Sequence, residues 1–202
     1  MITASEIMAG LRGVLAVGVG RADWQETFAP DTEPVFRSFW AIPLAIPFMV
    51  LAMEGGRRVQ LLAGQSGGAL DLSPAGFVAA NTLIALFCWG LAMAVLVFLG
   101  QRRGIGARVG PLIIVQNWSS FVAYFLLAVG LGLGAAGGVL LSGMVSITVF
   151  AVALWIDWGQ FRRPLGFDIG GALIGVTAIN IFFMGVSDVM MALVLALFLP
   201  SA

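Results

Sequence analysis

Long apolar stretches alternate with short polar breaks along this chain, and their lengths set the expected fold. A bilayer core about 30 Å thick takes about 20 apolar residues of helix. Stretches of that kind recur at 38–53, 76–100, 111–134, 137–156 and 169–199. The first is short and holds Pro43 and Pro47, whose rings remove backbone hydrogen bonds, so a kink is expected. Only Asn81, Thr82 and Cys88 interrupt the second, and the third opens at Pro111, a residue suited to a first helical turn. The last is too long for one upright span and too short for two. One tilted helix, or a helix broken near Gly185–Ser187, is expected there.

Ahead of the spans, Ile7, Leu11, Val14, Leu15 and Gly18 recur at helical spacing, and Thr3 and Glu6 stand as in a capping box. Residues 3–20 are therefore expected as an amphipathic helix lying in the membrane interface. A signal peptide fits less well, because Glu6 sits where a basic leader would and Arg12 interrupts the apolar run. The acidic, Pro-containing stretch 22–34 reads as a surface connector. The fold class expected is all-α: a single polytopic membrane helix bundle of five transmembrane helices with an N-terminal interfacial amphipathic helix.

Composition agrees, with 60 % hydrophobic and 10 % charged residues in 202 and a mean hydropathy of +1.05. Sorting the charges by side adds an orientation. Arg12, Arg21 and Arg37 precede the first span, Arg102, Arg103 and Arg108 separate the second from the third, and Arg162 and Arg163 follow the fourth. With five spans these share one side, leaving Arg57 and Arg58 in the first outer loop. By the positive-inside rule the N-terminus is expected to be cytoplasmic and the C-terminus outside; the expected location is the cell inner membrane. The acids before the first span, together with Asp157 and Asp168, count to the inner side; Glu54 and Asp71 count to the outer. Trp40, Trp155 and Trp158 stand at the inner ends of spans, where the indole favours the headgroup level, and read as interfacial anchors. Trp89 falls mid-span and reads as packing or lipid-facing.

Candidate chemistry is sparse. The chain has no His and no Lys, and Cys88 is its one cysteine. Histidine bases, Schiff bases and disulfides are thereby excluded, as are the usual zinc and haem sites. Formal net charge is zero, so no whole-chain field favours nucleic acid. No catalytic residue, metal or cofactor is implied, and the lipid bilayer is the expected partner, with other membrane subunits as further candidates. Asp188 is the acid inside an apolar segment. It reads either as a proton or cation site with Ser187 and Asn180, or as an interfacial acid paired with Arg57 or Arg58. The run Gln116-Asn117-Trp118-Ser119-Ser120 is the other candidate. Asn117, Ser120 and Tyr124 are expected on one face, as glue between helices or as the wall of a polar cavity. Trp118 and Tyr124 with Phe121 and Phe125 offer a third possibility, a lipid or quinone site. Gly130-x-x-x-Gly134 and Gly171-x-x-x-Gly175 have the spacing of close helix contacts.

Phe36-Arg37-Ser38-Phe39-Trp40-Ala41, leading into a Pro-containing first span, and Ile114-Val115-Gln116-Asn117-Trp118-Ser119 in the third carry a resemblance. Together with the order of parts, they resemble the bacterial five-span members of the Ypt-interacting protein (Yip) superfamily. The resemblance implies no catalytic residue. The eukaryotic members' Asp-Leu-Tyr-Gly-Pro signature is missing, so it implies no binding to small GTPases either. The function expected is non-catalytic: binding, scaffolding or service as an accessory subunit. The alternatives are a small-solute or proton-coupled transporter using Asp188 and the Asn117 face, and a lipid- or quinone-binding subunit.

Overall fold

The structure, a computed structural model, describes residues 3–22, 24 and 32–199. Most of the connector expected at 22–34 lies outside the described residues. The helices are α1 (Ala4–Gly18), α2 (Thr32–Ser38), α3 (Ala41–Leu62), α4 (Pro74–Arg102), α5 (Gly106–Gly137), α6 (Val139–Arg162) and α7 (Ile169–Phe198). The continuous stretch of α2 and α3 from Pro34, and each of α4 to α7, is long and apolar enough to cross a membrane. Among the described residues there is no strand. The fold is an all-α helical bundle.

Helix starts follow their local chemistry. Thr3 and Glu6 form the expected capping box, with the Glu6 N–H donating to Thr3 Oγ1 at 3.3 Å and the Thr3 N–H donating to Glu6 Oε2 at 2.7 Å. Ser73 caps α4 ahead of Pro74, and Asp168 caps α7 by accepting the Gly171 N–H at 2.7 Å. The first span breaks at Phe39–Trp40, before its prolines. The Pro43 ring conflicts with a helical carbonyl four residues back, that of Phe39, so the helix restarts there, while Pro47 is carried within α3.

Several boundaries differ from the apolar stretches. α3 runs past Met53 to Leu62, so Arg57 and Arg58 lie in the helix and not in a loop. Glu54 accepts from Arg57 Nε at 2.9 Å and from Arg58 Nε at 2.7 Å, and this pairing at helical spacing supports the continuation of α3. α5 starts at Gly106, which moves Pro111 beyond the first turn. α7 is one unbroken helix, with no interruption at Gly185–Ser187. Its 30 residues make about 45 Å, enough for the hydrocarbon core and both headgroup layers.

α5 is the hub, packing against α1, α2, α3, α4 and α6, whereas α7 packs on α4 and α6. Glycines permit the closest contacts. A Cβ on Gly130 would meet Val145 Cγ1 of α6 at 1.8 Å, and one on Gly175 would meet the Phe161 ring at 2.5 Å. Gly130 and Gly175, one from each spaced pair, thus serve contacts inside this chain. Gly138, at φ +91°, is the single residue joining α5 to α6.

α1 lies across one end of the bundle. Its Glu6 pairs with Arg37 at the start of the first span. Gly10 sits on Trp118, Gly18 on Trp155, and Gly20 approaches Arg163. Val14, Ala16 and Val17 are buried, while Met8, Leu15 and Val19 face outward. At the same end Arg108 donates to the Pro164 carbonyl at 3.5 Å, and the Arg103 guanidinium lies 3.9 Å from the Phe167 ring centroid. The α4–α5 and α6–α7 turns are thereby tied together. Trp40, Trp155 and Trp158 stand half-exposed at this arginine-rich end.

Candidate functional site

The polar run 116–120 is turned onto two sides by α5. Asn117 is fully buried. Its Oδ1 accepts from Trp89 Nε1 of α4 at 3.0 Å, and its Nδ2 donates to Ser38 Oγ at 2.8 Å. Ser38 in turn donates to the Val35 carbonyl at 2.7 Å. Asn117 therefore joins three segments through both ends of its amide. The two stretches 36–41 and 114–119 meet at this bond.

Gln116, Ser120 and Tyr124 occupy a different face, four residues apart and so nearly in line along the helix. With Ser119 they line a cavity walled by α4, α5, α6 and α7. The expected grouping of Asn117 with Ser120 and Tyr124 is accordingly split: Asn117 is spent on packing, and Gln116 takes its place beside the other two. The cavity has two lobes of about 190 Å³ and 300 Å³, sharing Gln116, Ser120, Tyr124, Asp157 and Asn180. α4 contributes Cys88 and Trp89, the latter stacked towards Tyr124 with centroids 6.4 Å apart. Phe161 and Phe183 add apolar wall.

Two residues of α6 give the cavity its character. The sequence places Asp157 among inner-side acids, between two interfacial tryptophans. In the structure it lies within α6, turned away from Trp155 and Trp158 and into the cavity, with the Asn180 side chain against its carboxyl. It makes no ion pair among the described residues; Arg162, farther along α6, lies over the Trp158 ring. Gln160, one turn on from Asp157, is 2 % exposed and also lines the cavity. Its Nε2 has no hydrogen-bond partner among the described residues. A buried amide left so costs about 1–3 kcal/mol, and such groups are rare in native structures.

Asn180 donates to the Val176 carbonyl at 2.9 Å and faces Asp157. It is not grouped with Asp188, which lies two turns further along α7, exposed and outside the cavity. Pairing of Asp188 with Arg57 or Arg58 gives way to the Glu54 cluster. The aromatic grouping also divides. Phe121 and Phe125 set their edges against Phe48 at 5.8 Å and 5.2 Å, on an apolar pocket of about 500 Å³ beneath α1. Trp118 packs under Gly10, and Tyr124 faces the polar cavity.

Asp157 and Gln160 left one usable signal in the sequence, a polar pair three residues apart in the last turns of an apolar helix, on one face. The flanking tryptophans masked it by pointing to the headgroup layer. Comparison with protein families, with curated proteins and with solved structures finds no match to this chain.

Proposed function

We propose that this is a non-catalytic inner-membrane protein that binds a small molecule in the cavity between α4, α5, α6 and α7. The observation that carries this reading is the Gln160 amide, buried and unpartnered on a wall shared with Asp157, Gln116 and Ser120. Polar groups inside a bundle usually satisfy one another, as Asn117 does with Trp89 and Ser38. A buried amide nitrogen left without a partner on a residue that lines an open volume instead favours an occupant towards which the amide can turn. The lack of His and Lys supports binding over catalysis. The arginine asymmetry supports a cytoplasmic N-terminus and an outer C-terminus. Kinship with the Yip-like five-span proteins belongs to the same proposal, resting on 36–41 and 114–119.

Gln160, within one turn of Arg162, lines the same lobe of about 190 Å³ as Cys88 of α4 and Tyr124 of α5. The apolar pocket beneath α1, lined by Leu11, Leu15, Phe48, Phe121 and Phe125, favours a second reading for that site alone, a lipid chain.

The test is thermal unfolding of the full chain in nanodiscs with three compounds of one size, one cationic, one neutral and one anionic. At least one raises the midpoint saturably in the wild type and not in Ser120→Phe, which fills the cavity. Asp188→Asn, outside the cavity, leaves the response unchanged. No response to any compound, or a response kept in Ser120→Phe, contradicts the proposal.

A further inference from the structure

The cavity wall holds one formal charge, the Asp157 carboxylate, and nothing opposite to it. Its titratable neighbours are Cys88 on α4 and Tyr124 on α5, and α7 contributes the neutral Asn180. The chain has no Lys or His, and Arg162 is occupied with Trp158. A carboxylate inside a span without a counter-charge is costly, so the occupant that gains most from this site is a cation.

The remaining wall says which kind. Calcium and magnesium seek six or more oxygens and zinc three or four His, Cys or carboxylate ligands, and the described residues hold no group of three His, Cys, Asp or Glu. Much of the surface around Asp157 is apolar or aromatic, with Ala85, Trp89, Leu96, Phe161, Ile179 and Phe183. Aromatic faces attract organic cations and accept apolar bodies. Gln160 lines the same wall one turn from Asp157, and its shielded Nε2 has no partner among the described residues, so rotation of the amide towards the cavity gives an oxygen of the same ligand a donor.

Resting on the proposed binding role of this cavity, we infer that its ligand is a small primary ammonium with an apolar or aromatic body and a neighbouring oxygen acceptor. The ammonium pairs with Asp157, the oxygen accepts from Gln160, and the body lies along Trp89 and Phe161. The shared residues of the two lobes place the charge at their junction, so the body can extend into either.

The probes are 2-amino-1-phenylethanol, 1-phenyl-1,2-ethanediol and mandelate, which keep the ring and hydroxyl and change only the terminal group. Thermal unfolding of the full chain in nanodiscs, in constant sodium chloride, gives a saturable rise with the amine. Its half-saturating concentration is at least tenfold lower than for the diol, and mandelate gives no rise. Asp157→Asn raises that concentration at least tenfold, whereas Asp157→Glu retains most of the affinity. Should Asp157→Asn fail to fold, the wild type decides alone through Cys88, which lines the same lobe. A trimethylammonium-ethyl methanethiosulfonate then modifies Cys88 at least tenfold faster than its sulfonatoethyl counterpart, after correction for their rates with a free thiol. An equal response to the diol, a preference for mandelate, or the same stabilisation by sodium chloride alone overturns the ammonium assignment while the cavity stands as a binding site. No response to any of the three overturns both.

Discussion

Asn117 and Gln160 are both buried amides, yet the bundle uses them in opposite ways. Asn117→Leu strips Trp89 Nε1 of its acceptor and Ser38 Oγ of one of its two partners, and costs about 1–2 kcal/mol, read as a lower unfolding midpoint in nanodiscs. Gln160→Leu removes an amide nitrogen that has no partner, so the midpoint of the empty protein stays level or rises. If Gln160→Leu destabilises as much as Asn117→Leu, the Gln160 amide is structural and not a ligand donor. The sequence made the polar run 116–120 conspicuous but could not divide it. Its five residues sweep round α5, and which of them meets α4 or the cavity depends on helix rotation set by distant partners such as Ser38. Asp157 was hidden for the same reason. Its neighbours Trp155 and Trp158 point to the headgroup layer, but a helix turns about 100° per residue, so Asp157 faces elsewhere.

Among the elements, the spans were legible because about 20 apolar residues have few alternatives, and α1 was legible from its cap and stripe. Their ends were less so. Hydropathy falls at Glu54, yet α3 continues because Glu54 pairs with Arg57 and Arg58 at helical spacing. The docking of α1 on α6 depends on a close approach. A Cβ on Gly159 would meet the Val17 carbonyl oxygen at 2.5 Å, whereas one on Gly143 of the same helix meets nothing within 4 Å. Gly159→Ala is expected to cost about 1–3 kcal/mol and to raise amide exchange across 4–18. Gly143→Ala is expected to be neutral or to stabilise by up to about 1 kcal/mol. Equal effects at the two positions would remove α1 from the packed bundle.

Glu6 ties the start of α1 to the first span, and its environment sets a pH window. The Thr3 N–H and then the Arg37 guanidinium lower its pKa from 4.5 to about 2. A carboxylate with a depressed pKa contributes stability above its unperturbed value, and that contribution fades as pH falls through 4.5 towards 2. Protection of 4–18, corrected for intrinsic exchange, should hold from pH 7 to 5 and decline below 4.5. Glu6→Gln should show lower protection at pH 7 and no such decline. A wild-type profile flat to pH 2.5 would show that the pair contributes nothing to docking.

Across the whole molecule, the arginine-rich end gathers the α4–α5 turn, the α6–α7 turn and α1. With an unbroken α7, Phe198 lies at the opposite face from Ile169. A C-terminal alkaline phosphatase fusion should be active and a C-terminal green fluorescent protein fusion dark. The reverse pattern would invert the orientation. α4, α5, α6 and α7 enclose the cavity jointly, so it arises from tertiary packing that no single segment announces.

The central claim is that this cavity is a real, reachable site within the bundle. Cys88 is the one cysteine of the chain and lies on the cavity wall, so it reports on that volume without engineering. The most direct measurement is its rate of modification by neutral methyl methanethiosulfonate in nanodiscs, for wild type and Ser120→Phe. The account predicts modification of the wild type, slowed at least tenfold by the Ser120→Phe side chain filling the shared volume. An unreactive wild-type Cys88, or equal rates in the two proteins, would contradict it.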